Sequence, residues 1–378
     1  MLYNKFIRSV IAICCLLVST FMLASCSPQE SIKIGFVAAL TGSSSEISVN
    51  GRNAVYLAVE EINHAGGIKG KRIELHSEDD KNDKKIALHT DKHLAQHGVT
   101  AIIGHMTSGM AELTVPFVNE QNILMISPTI SLDSLAGIDD NFVRVISSNK
   151  LQGDFLAKMA FKTEKVKKVA VIYDRRNEAF AEPVKSFFAQ GIESYGGQIV
   201  ITEVFENGNS GDYSAIAKRI NDADADGILL IASSVDAAMV CQQFLKQEKK
   251  LPIFMPMWSM TNDLIKQGGP AVEGTYLINI IDFESSAPDF VKFKKDYYER
   301  YGAEATFASI LSYEAAKVLF ESMNHAQQLT AASIKEALLK KRIFKGLQGD
   351  IVIDQYGDTN RDFHLYRVKN GAFVKVEE

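Results

Sequence analysis

Three short hydroxyl-rich stretches follow apolar runs near the start of the chain. Thr107 and Ser108 come after AIIG, Thr129, Ile130 and Ser131 come after ILMISP, and Thr41, Ser43, Ser44 and Ser45 come after IGFVAAL. Hydroxyls and unpaired backbone N–H groups at helix starts form a natural seat for an anion such as a carboxylate. Ser and Thr also cap helices and shape turns, and Ser108 is placed to cap the helical stretch after it. Repetition at three neighbouring run ends favours the ligand reading over local turn chemistry. A nucleophile needs a base, and Ser108 has no His or Lys at a spacing that would supply one. H-E-x-x-H, G-x-S-x-G, G-x-x-x-x-G-K-[ST] and G-x-G-x-x-G are all absent. The chemistry expected is binding, without catalysis and without a cofactor.

Other candidates read as architecture. His89, His93 and His97 are spaced to share a metal on one helix face. They sit beside Lys84, Lys85, Asp91 and Lys92, which marks a solvated face. No metal site is expected. His105, after a run-ending Gly, is expected to shape its loop. EDDKND, residues 78–83, lacks the spacing of a calcium loop and reads as a turn with a helix cap.

The elements that would position these residues follow from periodicity. Strand-length apolar runs alternate with helical segments from Ile32 onward: IKIGFVAAL, a helix ended by Gly66-Gly67, RIELHSEDD, a helix ended by Gly98, VTAIIG, a helix over about 108–121, NILMIS and FVRVI. A second series runs from KVAVIYD through QIVITEVF, DGILLIAS and LPIFMPM, with helices between. The alternation predicts an α/β protein with two doubly wound, parallel-sheet lobes. Three helices then follow in a row, and LQGDIVID, DFHLYRVK and AFVKV suggest short antiparallel strands. The joins near 147–150 and 276–282 are short, so the lobes are expected to exchange segments. Ligands of open α/β sheets sit beyond the carboxyl ends of strands, where the hydroxyl clusters fall.

A chain of 378 residues is long for one core and fits two domains. A net charge of −5 gives no basic field for nucleic acid. Lys5 and Arg8 precede the apolar run VIAICCLLVSTFMLA, the layout of a signal peptide and too short to span a membrane. Cys14 and Cys15 fall within it. Leu23-Ala24-Ser25-Cys26 is similar to the bacterial lipobox, which would lipidate Cys26. Cys241 would then be the mature chain's one thiol, with no intrachain disulfide.

IGFVAALTG, AVEEINHAGGIKGKRIEL, EDDKND, AIIGHMTS, ILMISPT and FVRVI, in this order, resemble the periplasmic branched-chain amino-acid-binding proteins. These are the leucine/isoleucine/valine receptors of ABC importers. The resemblance spans essentially the whole mature chain. It implies a type I periplasmic binding fold, with two lobes joined by three crossovers around a ligand cleft. It implies residues 1–25 as signal peptide and 26–31 as lipidated tether. The first lobe would comprise 32–148 and 278–354, the second 149–277 and 355–378. The implied partners are a small carboxylate or amino acid and an inner-membrane ABC permease. The protein is expected to act as a monomer on the periplasmic or extracellular face, with a ligand-sensing lipoprotein as the alternative.

The resemblance places the ligand carboxylate on Ser108, with Thr129, Ile130 and Ser131 adding contacts. The second lobe departs from the pattern. The acid that receives a ligand ammonium is replaced by Trp258, and the usual tyrosines are missing from DRRNEAF and ASSVDA. Either Asp174, Glu178 or Asp236 supplies the acid, or Trp258 and Phe180 cover an apolar or aromatic ring. Ser233 and Ser234 are expected to close from the same side.

Overall fold

The computed structural model describes residues 31–42, 45–206, 210–247 and 250–377. The expected signal peptide, Cys26, Ser43 and Ser44 lie outside the described residues. Strands β1 (Ile32–Ala38), β2 (Ile73–Asp79), β3 (Ala101–Gly104), β4 (Leu124–Ser127) and β5 (Phe142–Arg144) form one all-parallel sheet in the order β2-β1-β3-β4-β5. Its central strands are buried on both faces, which is why AIIG and LMIS read as continuous apolar runs.

The second sheet holds β6 (Lys168–Asp174), β7 (Gln198–Phe205), β8 (Gly227–Ile231), β9 (Ile253–Met255), β10 (Tyr276–Asn279), β13 (His364–Lys369) and β14 (Ala372–Lys375). Their order is β14-β13-β10-β9-β8-β6-β7. It is parallel through β10 and antiparallel at the β13–β14 edge. The tail strands β11 (Ile343–Lys345) and β12 (Asp350–Val352) pair only with each other.

Strand β10 corrects the sequence reading, which took 276–282 as a connection and ended the second lobe's segment at 277. Ile278 and Asn279 pair with Leu365 and His364, so that sheet runs to Asn279. Four residues bounded by polar Thr275 and an Asn give too short a period to stand out from a linker.

The chain crosses between sheets after β5, after β10 and before β13, giving two lobes joined by three crossovers. Helices Ser45–His64 and Phe307–His325 pack together beside the first sheet, and Asn149–Glu164 packs on Glu178–Ser194 beside the second. Two crossovers are tied together: the Arg361 N–H donates to Ser147 Oγ at 2.7 Å, and that hydroxyl donates to the Arg361 carbonyl at 2.9 Å. Buried Arg144 Nε donates to Asp358 at 2.7 Å beside them.

Candidate functional site

The first lobe's binding loops hang on the acidic turn after β2. Asp79 accepts from the Leu40 N–H at 2.9 Å and the Thr41 hydroxyl at 2.7 Å. Asp80 receives His105 Nδ1 at 2.7 Å, Asn82 Oδ1 accepts from the Thr107 hydroxyl at 2.8 Å, and Asp83 caps the helix Lys84–Gln96. EDDKND therefore braces the loops, consistent with its reading as turn and cap. His105 is fully buried between Asp80 and Asp91. Burial would depress its pKa, but the Asp91 and Asp80 carboxylates outweigh that and hold the imidazolium up to about 10. Gly104 ends β3 at a φ of 143°, and a Cβ there would stand 2.4 Å from the Val37 carbonyl oxygen. Only glycine lets the His105 loop leave so close to β1.

Because these braces occupy most of the hydroxyls, the predicted clusters resolve unequally. Thr107 is engaged by Asn82, and Thr129 donates to the Met106 carbonyl at 2.7 Å. Ser131 Oγ donates its proton to Asn149 Oδ1 at 2.5 Å. Ser108 does not cap: a 3-10 turn, Ser108–Met110, precedes the helix Ala111–Gln121, and the turn's first residue carries no capping bond from Thr107 or itself. The Ser108 hydroxyl and the N–H groups of Ser108 and Ser131 have no protein partner among the described residues. Three unengaged donors at one strand-end crevice suit a carboxylate.

Between the lobes lies a narrow cavity of about 30 Å³. Thr107, Ser108, Thr129 and Ser131 line it from the first lobe with Ile47, Met106 and Phe307. Phe180, Trp258, Met257 and Asn177 face them from the second, and Ile146 and Gln152 sit at the crossover. Phe180 and Trp258 meet edge to face, their centroids 5.7 Å apart, and form an aromatic wall. Trp258 therefore meets the cavity and also packs between elements.

Several expected residues lie elsewhere. Ile130 turns into the core under the loop, its N–H held by Ser127 Oγ at 3.0 Å. Thr41 is exposed and bound to Asp79, and Ser45 does not line the cavity. The candidate acids are corrected too. Arg176 pairs with Asp174 at 2.6 Å and also with Asp236, while Tyr213 and Ser233 hydroxyls donate to Asp236 at 2.6 and 2.7 Å. Burial still pushes the Asp174 carboxyl up, against the pull of Arg176. Glu178 is exposed at its helix start. None of the three lines the cavity.

Sequence reasoning missed Gln152, Asn177, Ile47, Met257 and Glu46. Glu46 lies across the cleft: Ser234 Oγ and Thr261 Oγ1 of the second lobe both donate to its Oε2, at 3.0 and 2.5 Å. Burial raises its pKa above the ordinary 4.5, although the Thr261 hydroxyl pulls the other way. The lobes are thus bridged in a closed arrangement. A sequence signal for this bridge did not exist, because its members are 188 and 215 residues apart.

A larger groove on the outside of the first lobe is lined by Glu61, Lys317, Tyr313 and Phe344 among others. Its polar groups are already matched: Tyr313 donates to Glu61 at 2.6 Å, Lys317 lies 3.7 Å from it, and Lys345 pairs with Asp289 at 2.5 Å. The inter-lobe cavity, with its unengaged donors, is the better ligand site.

A family model described as periplasmic binding protein matches residues 31–372. The chain belongs to the periplasmic binding protein family. It is 27% identical over 340 residues to Leu/Ile/Val-binding protein homolog 1 of Brucella suis, covering 86% of this chain and 90% of that one. Its fold matches the leucine-binding protein LivK of Thermotoga maritima at a TM-score of 0.85 and 26% identity, over 92% of this chain and 98% of that one. LivJ of Streptococcus pneumoniae, solved with isoleucine, matches at 0.83 and 25%, over 92% and 100%. The type I periplasmic binding fold expected from the sequence is the fold of this chain.

Among the described residues no group of His, Cys, Asp and Glu is arranged to hold a metal, and no helix is long and apolar enough to cross a membrane. His93 reaches Glu78 at 3.1 Å on the outer face. Cys241 is buried, and burial pushes its thiol up to about 12.

Proposed function

We propose that the protein is the extracytoplasmic solute-binding component of an ABC importer and closes by hinge motion on a small carboxylate. The candidate ligands are a branched-chain or other hydrophobic amino acid, or an aromatic or aliphatic carboxylate. The observation that carries this reading is Ser108: in a loop where every neighbouring hydroxyl is engaged, its hydroxyl faces the inter-lobe cavity unpaired. The relatives' names, Leu/Ile/Val-binding protein and branched-chain amino-acid transporter substrate-binding protein, support the same class. The tied crossovers around Ser147 and Arg361 provide a compact hinge.

The reading includes processing of residues 1–25, a lipid on Cys26, a tether over 26–31, and delivery of ligand by a monomer to a membrane permease. More than one acyl chain at Cys26 would make the anchoring stable. The lobes take the segments given above, with the second extended to Asn279. A thermal-shift screen of carboxylates and amino acids tests the function. Ligand at a hundred times its Kd adds about 2.7 kcal/mol of stability. Ser108→Ala should weaken every hit, and hits indifferent to it would place the carboxylate elsewhere.

A further inference from the structure

Gln152 is fully buried on the cavity wall, and neither its Nε2 nor its Oε1 has a partner. Asn177 is 6% exposed on the same cavity, and its Oδ1 is equally unpaired. A Cβ added at Gly109 would lie 3.9 Å from that oxygen, so Asn177 reaches over from the second lobe towards the Ser108 turn. Burying a carboxamide with both ends empty is costly, and a native site avoids it by holding something there. No charged residue lines the cavity, and Asp174 and Asp236 are matched by Arg176.

Given that the site takes a carboxylate, as proposed above, we infer that Gln152 and Asn177 bind a second, neutral polar group of the ligand, a hydroxyl. A hydroxyl has one proton and two lone pairs, so it can accept from Gln152 Nε2 and donate to one of the two unpaired oxygens, Gln152 Oε1 or Asn177 Oδ1. An ammonium only donates, leaves Nε2 empty, and brings a charge into a cavity without an acid. Gln152 and Asn177 thereby occupy the role of specificity determinants, and the aromatic wall of Phe180 and Trp258 covers the apolar remainder.

Calorimetric titration with two isosteric series tests it: leucine, 2-hydroxy-4-methylpentanoate and 4-methylpentanoate, then phenylalanine, 3-phenyllactate and 3-phenylpropanoate. In at least one series the hydroxy acid should bind at least about tenfold tighter than both companions. Gln152→Leu and Asn177→Leu should erase that margin and leave the companion lacking the hydroxyl within about twofold. An amine bound as tightly as the hydroxy acid overturns the inference and leaves the carboxylate reading standing. So does equal weakening of all three ligands of a series by Gln152→Leu, the mark of a structural role. No binding in either series overturns the hydroxyl inference and leaves the carboxylate reading to the thermal-shift screen. The comparison on the unmutated protein stands even if a variant fails to fold.

Discussion

The two sides of the cleft answer to different physics. On the first lobe, polar groups are connected: Asp79, Asp80, Asn82 and Ser127 hold the loops, leaving three donors free at one point. On the second lobe the strand ends carry a closed ion cluster, Asp174, Arg176 and Asp236, and beside it an aromatic wall that touches the ligand space. Under the proposed function, the first side recognises a group every carboxylate shares. The second has its charges paired with one another, and under the proposal above shape and the carboxamides discriminate. A charge near a cleft therefore identifies a binding residue only once its partners are known.

That contrast can be broken most sharply at Arg176. Arg176→Met leaves Asp174 and Asp236 buried without their cation. Because the guanidinium is 27% exposed, the expected cost is the low end of a broken buried pair, about 3 kcal/mol in urea unfolding. A loss under about 1 kcal/mol would mean the cluster is not what holds the second lobe's loops.

On the first lobe, Ser108→Ala should cost about 1–3 kcal/mol of ligand affinity by calorimetry. Ser131→Ala should cost less, since its hydroxyl proton already serves Asn149. The reverse ranking would show that the Asn149 bond opens when ligand enters.

The His105 brace gives a pH test. Its folded pKa of about 10 lies above the unfolded value of about 6.5, so its stabilisation is complete below about pH 6.5 and is lost as pH rises through about 10. Stability should fall across that interval, and His105→Gln should flatten the decline. A slope unchanged by the substitution would assign the decline to other groups.

The smallest effect is expected at Glu46. Burial in the closed form raises its pKa, so closure favours the protonated carboxyl. Ligand affinity should therefore rise as pH falls from neutrality towards the carboxylate range, and Glu46→Gln should bind a few-fold tighter at neutral pH with that slope removed. Weaker binding would show that the charged bonds to Ser234 and Thr261 outweigh desolvation.

Much of this molecule was legible in one dimension. Short, fully apolar runs such as AIIG and GILLI, alternating with helical segments, read as strands buried on both faces of parallel sheets, and they are. Thr107–Ser108 and Thr129–Ser131 follow the ends of β3 and β4, and the signature runs carried the family. The short strand Tyr276–Asn279 lacked a period long enough to read. Which hydroxyl remains free was not legible at all, because Thr107, Thr129 and Ser131 are engaged by Asn82, Met106 and Asn149, up to 25 residues away. The same holds for the acids: Asp174 and Asp236 looked available until Arg176 was seen between them. Local pattern and burial, which sum along the chain, were determined by sequence alone. Hydrogen-bond pairing was decided only by the tertiary structure, since each donor proton goes to the acceptor that folding brings within about 3 Å.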